Sequence, residues 1–241
     1  MILFEDDLLL VLNKPAGLVC HPTRGGEDSS LIGRIRQHLG NAEGRLVNRL
    51  DRETSGVVLV AKGSGPAGEL GRLFGTPAIS KTYWAVVHGH VAGGGPGSPP
   101  QKHAAPFTID AATGKDVASP VAIKDCVRAD GAAARTTVRV LRTFDRRGEP
   151  FSVLELQPET GRKHQLRIHM AHIGHPIVGD KIYGGDEMRY LRFVSRSMTA
   201  ADVAALIVTN HALHARALSF HWRGRAWSFE ADPSEEMQSW L

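Results

Sequence analysis

The run Asn48-Arg49-Leu50-Asp51-Arg52-Glu53-Thr54-Ser55-Gly56 sets one carboxylate between two arginines, and an apolar segment of strand length, Val57 to Ala61, follows at once. Nearby positive charge favours the ionised form of a carboxylic acid, so Asp51 is expected to be charged at neutral pH. An ionised carboxylate held near a polyanion can act as a nucleophile or a base. Taken alone, an Arg-Asp-Arg cluster reads more simply as a solvated ion cluster. Arg45 extends this basic group, and a second one, Arg162, Lys163 and Arg167, lies in Thr160 to Met170. Contacts of this kind to phosphates would position a nucleic acid without reading its sequence. His164, His169, His172 and His175 are spaced like metal ligands, but no Cys or Glu-x-x-His partner completes a set, so no metal is expected.

The elements that must hold these residues are legible from periodicity. Val57 to Ala61 is short, β-branched and bounded by Gly56 and Lys62, so it reads as a buried strand fed by the turn Thr54-Ser55-Gly56. Asp51 is then on a loop anchored to a sheet. Upstream, Leu8 to Leu12 and Leu18 to Cys20 flank the turn Asn13 to Gly17 and read as two paired strands, and Ser29-Ser30 opens an amphipathic helix that ends at Gly40. A short helix is expected over 67–74, and a strand over Lys81 to His88 ending at Gly89. Arg135 to Leu141 and Phe151 to Leu156 alternate with period two and read as a hairpin. Leu166, Met170 and Ile173 fall at helical spacing, predicting a helix from about His164 to before Gly174. A helix from Ala200 to Ile207 capped by Thr199, then a strand from His211 to Phe220 paired with Ala226 to Glu230, closes the chain.

The chain of 241 residues, 42% hydrophobic and 22% charged, can build one substantial core or two small ones. Its apolar runs are too short to span a bilayer as helices, Glu5-Asp6-Asp7 is unlike a signal peptide, and Cys20 and Cys126 make no disulfide framework. A reduced, cytoplasmic protein with no membrane segment is expected. The formal charge of +4 suits a polyanionic partner without demanding one. Gly93 to Pro100 cannot be regular structure, and 92–130 reads as an irregular insertion with one or two edge strands. Its Lys102, His103, Lys115 and Lys124 are weak candidates for substrate contact.

Four of these stretches together resemble the RluA-type pseudouridine synthases. They are Arg49-Leu50-Asp51-Arg52 with Thr54-Ser55-Gly56 and Ala61-Lys62; Lys81-Thr82-Tyr83; Thr160 to Met170 continuing through Gly179-Asp180 to Tyr183-Gly184; and Leu213-His214-Ala215 with Leu218 and Phe220. Glu5 through Asn13-Lys14-Pro15-Ala16-Gly17 to His21-Pro22 resembles the opening of the same family, while Asn48 stands where a His is usual. The resemblance implies an α+β pseudouridine synthase fold, a mixed, mainly antiparallel central sheet flanked by helices and loops, formed by 1–241 as a single catalytic domain without an N-terminal RNA-binding extension.

It also implies that Asp51 is the nucleophile, that Tyr83 stacks on the target base and helps proton transfer, and that Arg167 pairs with Asp51. Arg49, Arg52, Arg162 and His164 are expected to contact the RNA, with Leu166 a wall of the uracil pocket. The partner would be ribosomal or transfer RNA and the protein a monomer. No cofactor is expected, since the base is both leaving group and returning nucleophile. The alternatives are a catalytically silent RNA-binding protein of the same fold, and a glycoside or nucleoside hydrolase, for which Glu53 is the nearby second carboxylate.

Overall fold

A computed structural model describes residues 1–22, 26–92 and 105–241. In chain order its elements are β1 (Ile2–Glu5), β2 (Leu9–Lys14), α1 (Leu31–Leu39), β3 (Gly44–Leu46), β4 (Ser55–Lys62), α2 (Ser64–Phe74), β5 (Ser80–His88), β6 (Phe107–Asp110), β7 (Thr113–Lys115), β8 (Asp125–Val127), β9 (Arg135–Arg146), β10 (Glu149–Pro158), α3 (Gln165–His172), α4 (Met188–Val194), α5 (Ala200–Leu206), β11 (Leu213–Trp222), β12 (Arg225–Glu230) and α6 (Glu235–Gln238). They fall into two compact units: Met1–Tyr83 with His214–Ser239, and Trp84–Leu213 with Trp240–Leu241. Among the described residues no helix is long and apolar enough to cross a membrane.

In the first unit the strands run in the order β1-β2-β4-β11, with β12 on β11 and β3 on β4. All pairs here are antiparallel except β4 with β11. Successive side chains of a strand point to opposite faces, and this splits β2 and β4 between two cores. Leu9, Val11, Val57 and Leu59 pack with Leu70 of α2 and the aromatic residues Phe220, Trp222, Trp227 and Phe229. Leu10, Leu12, Val58 and Val60 pack on the other face with Leu31 and Ile35 of α1. Strand β4 is thus covered on both faces, which is why its sequence is continuously apolar rather than alternating. Each such Val or Leu removed from water contributes roughly 1.5–3 kcal/mol.

Local signals fix the ends of these elements. Ser30 Oγ accepts from Gly33 N at 3.2 Å and Gly40 closes α1 at φ 67°, as the sequence predicts. The opening hairpin differs from the expectation. Asp6 Oδ1 accepts from Leu8 N and Leu9 N at 2.8 and 2.7 Å, which turns the chain so that β2 pairs with β1. Among the described residues, Leu18 to Cys20 forms no named strand and meets the start of α1 through a bridge between Val19 and Ser30.

In the second unit the order is β5-β10-β9-β6, with β7-β8 a separate hairpin. Strands β9 and β10 are longer than their alternating cores suggest, because the turn needs only Arg147 and Gly148, both left-handed at φ 54° and 80°. That two-residue turn matches the natural twist of a hairpin. Within 92–130, residues 93–104, including Lys102 and His103, lie outside the described residues. The rest carries three strands rather than one or two. Lys115 Nζ donates to the carbonyls of Ala122 and Lys124, and Lys124 pairs with Asp116 and Glu187. Helices α4 and α6 are additions to the expected set.

Candidate active site

Asp51 lies half-buried on the loop between β3 and β4, as expected, and the peptide N of Thr54 donates to its carbonyl at 3.2 Å. Leu50 points into the core beneath α1, while Arg49 and Arg52 are exposed on either side. Asn48, at the position where the sequence departs from its resemblance, is tied to β4: its amide donates to the Val57 carbonyl at 3.2 Å and accepts from Leu59 N at 2.7 Å. It extends the ladder of the strand that carries the loop.

Beneath the loop is a group that residue type alone hides. Lys14 has no accessible surface, and its ammonium donates to the carbonyls of Pro15 and Leu18, both at 2.9 Å, and of Arg52 at 3.1 Å. Three donors meet three acceptors, so a buried charge is fully hydrogen-bonded. Burial lowers its pKa to about 8, against the opposing pull of the Asp51 charge. Arg52 Nε donates to the Gly17 carbonyl at 3.2 Å, and Cys20 Sγ to the Leu50 carbonyl at 3.3 Å. The Asn13 to Cys20 stretch therefore grips the Asp51 loop through its backbone.

Tyr83 packs against the same core as Leu50. Burial raises its hydroxyl pKa and the negative charge of Asp51 raises it further. Tyr83 is therefore held as a neutral phenol around neutral pH, able to support a flat ring and to lend a proton. The first unit thus brings together Asp51, Tyr83, Arg49 and Arg52, with Lys14 added.

The second unit gathers Arg162, His164, Leu166 and Arg167. Arg162 is exposed and its Nε donates to the Ala133 carbonyl at 3.0 Å. His164 sits at the start of α3 in the left-handed conformation, φ 55°, with Nδ1 2.9 Å from the Tyr183 hydroxyl. Leu166 is buried in the same helix. Arg167 is buried too and meets a carboxylate within its own unit: Nε and Nη2 donate to the two oxygens of Asp180 at 2.7 and 2.9 Å. The Tyr183 ring lies 5.0 Å below the guanidinium. Burial alone would raise the Asp180 pKa, but the Arg167 charge and hydrogen bonds outweigh it and hold the carboxyl well below its usual range. The peptide N–H groups of Ile182 and Tyr183 complete its shell. His169 bridges Thr136 and the Ala111 carbonyl, and His175 contacts the His88 carbonyl.

A model of the family described as RNA pseudouridylate synthase matches residues 8–172, a stretch that holds Asp51, Tyr83 and Arg167 alike. The chain belongs to this family. Ribosomal large subunit pseudouridine synthase D of Zymomonas mobilis is 32% identical over 247 residues, covering 98% of this chain and 70% of that protein. The protein of the same description from Pseudomonas aeruginosa is 36% identical over 190 residues, covering 76% of this chain and 53% of that one. This chain therefore spans little more than half of the second relative's length. Among solved structures, human RNA pseudouridylate synthase domain containing 1 matches with TM-score 0.73 over 99% of this chain and 86% of that chain, at 24% identity. The α+β architecture is the pseudouridine synthase fold, and the resemblance to the RluA type stands.

Proposed function

We propose that this protein is an RNA pseudouridine synthase that acts as a single catalytic domain on uridines of ribosomal RNA, transfer RNA or both. The observation that carries the reading is the family match through one continuous stretch that includes the Asp51 loop, the Tyr83 strand and the Arg167 helix. The N1–C1′ bond of the uridine breaks, the uracil turns, C5 bonds to C1′, and the C5 hydrogen passes to water while N1 gains a proton. A base stacked in RNA is out of reach, so the target nucleotide must be flipped out.

Asp51, charged among Arg49 and Arg52, attacks C1′ or assists loss of the C2′ proton. Tyr83 stacks on the uracil and lends its hydroxyl to the proton traffic, which its neutral state allows. Arg49 fills the space left by the flipped nucleotide, Arg52, Arg162 and His164 hold the RNA, and Leu166 walls the pocket. Arg167 is given the task of keeping Asp51 ionised and aimed, on the strength of its place in the motif. No cofactor is required by this balance.

The names of the two relatives make large-subunit ribosomal RNA the first substrate to try. Unmodified ribosomal and transfer RNA would be incubated with the protein and mapped by carbodiimide-adduct primer extension. New stops at discrete uridines in one or both RNAs are expected. Stops absent from both would overturn the reading.

A further inference from the structure

The loop that carries Asp51 enters the sheet at the parallel pairing of β4 with β11, which is short: its register pairs are Ser55 with His214 and Gly56 with Ala215. A two-residue ladder is a weak lateral constraint. The side chains of the first pair add a second one. Ser55 Oγ lies 2.8 Å from His214 Nδ1, and His214 Nε2 lies 2.8 Å from the Ala231 carbonyl. A carbonyl only accepts, so Nε2 carries the proton, Nδ1 presents its lone pair, and the Ser55 hydroxyl donates to it. Arg216 Nη1 donates to the same Ala231 carbonyl at 2.7 Å, which holds that acceptor in place.

The charge state fits this tautomer. His214 has no accessible surface. Burial lowers its pKa and the Arg216 charge adds to the effect, against smaller opposing contributions from the Ala231 carbonyl and Asp232. The imidazole is therefore neutral and its hydrogen-bond direction single-valued. It runs from Ser55, one residue past the buried Thr54 whose peptide N–H closes a turn onto the Asp51 carbonyl, through His214 to Ala231 just beyond the end of β12.

We infer that His214, acting through Ser55, is a positioning residue for the Asp51 loop: the pair fixes where β4 begins and hence where the nucleophile is presented. This rests on the synthase reading of Asp51. In this reading neither residue contacts the substrate. A nucleophile must be held to within a fraction of an ångström, and a displacement of about 1 Å can cost about 100-fold in rate. A loop of three residues between nucleophile and staple transmits such a shift, while the core beneath, built by β2, β4 and α1, stays packed.

The test uses the full chain with Ser55→Ala, Ser55→Thr and His214→Asn, the last placing an amide oxygen near the Nδ1 position. Ser55→Ala is expected to lower kcat by about 10- to 100-fold with KM nearly unchanged, and Ser55→Thr and His214→Asn to recover most of that loss. A merely structural hydroxyl would instead leave kcat alone and lower only the melting temperature. Unchanged kcat in Ser55→Ala would overturn the inference, as would failure of both conservative variants to rescue.

A second readout needs no turnover. The Asp51 carboxyl carbon, followed by NMR through a pH titration, should shift its midpoint in Ser55→Ala and return in Ser55→Thr. If the wild type modifies no RNA, the synthase reading fails, and an unshifted Asp51 titration then separately sinks the positioning claim.

Discussion

A lysine with no accessible surface is costly to keep charged, and Lys14 is placed where that cost bears on the Asp51 loop through the Arg52 carbonyl. Its folded pKa is about 8 against an ordinary 10.5. Between those values the unfolded chain holds the proton and the folded chain does not. The contribution of this group to stability therefore rises with pH across that window, the burial cost being fully present below it. Turnover should move the other way, falling above about pH 8 as the ammonium loses one of its three donors. Thermal unfolding and single-turnover rates from pH 7 to 10 would show the two trends diverging, with the stability trend absent in Lys14→Met. Parallel trends would detach Lys14 from the loop.

Arg167 makes a second case at this scale. Arg167→Met strands a buried carboxylate, so a loss of roughly 3–5 kcal/mol is expected in denaturant unfolding, with most of it recovered on adding Asp180→Asn. The double variant should still be inactive if Arg167 serves the chemistry; a double variant with wild-type turnover would remove Arg167 from it. Asp180 has its pKa lowered from an ordinary 3.8, so its stabilisation is present above that value and lost as pH falls below it. Neither partner set was legible in the sequence. Lys14, Arg167 and Asp180 all stand in recognisable motifs, but lysine defaults to the surface. The meeting of Arg167 with Asp180 depends on a path through Gly174 and Gly179, both at positive φ, that no periodicity encodes.

At the scale of elements, legibility followed the strength of local signals. The helix over 31–39 has a Ser cap and a left-handed Gly at its end, and β4 is a β-branched run between turn residues. Helix α4 has neither: Glu187 makes no side-chain cap, and the helix has no buried residue. The opening hairpin departs from the expected pairing because the turn at Asp6 is closed by side-chain hydrogen bonds, which compete with the more obvious Pro-Gly punctuation of 15–17. Gly56 is the element-level hinge of the site. At φ 113° an added Cβ would stand 2.2 Å from the Ala215 carbonyl oxygen. Gly56→Ala should cost roughly 2–5 kcal/mol through strain and overpacking. A Gly56→Ala protein with an unchanged unfolding midpoint would contradict the β4–β11 contact described above.

At the scale of the molecule, the sequence offered no mark of the division into two units, because the boundary falls inside β5 between Tyr83 and Trp84, with no Pro- or Gly-rich linker. The charge balance was readable, but its distribution was not. Several arginines are spent on exposed carboxylates, as in Arg128–Asp130, Arg192–Asp186 and Arg223–Glu69, pairs worth little to stability. In the proposed function the exposed side chains at 49, 52 and 162 are the cations that contact RNA. Affinity for RNA should fall linearly on a log–log salt plot, and Arg162→Ala should reduce the slope by about 0.7–0.9, the share of one phosphate contact. An unchanged slope would place Arg162 off the RNA.

The central claim is that Asp51 starts an exchange of the uracil's N1 bond for a C5 bond, and C5 must lose its hydrogen for that to happen. RNA labelled with tritium at uridine C5 would be incubated with the wild type and with Asp51→Asn, and tritium in water counted. Release by the wild type, with none above background from Asp51→Asn, is the predicted result. Equal release by both proteins would contradict the role of Asp51, and no release by either, with ribosomal and transfer RNA both present, would contradict the synthase itself.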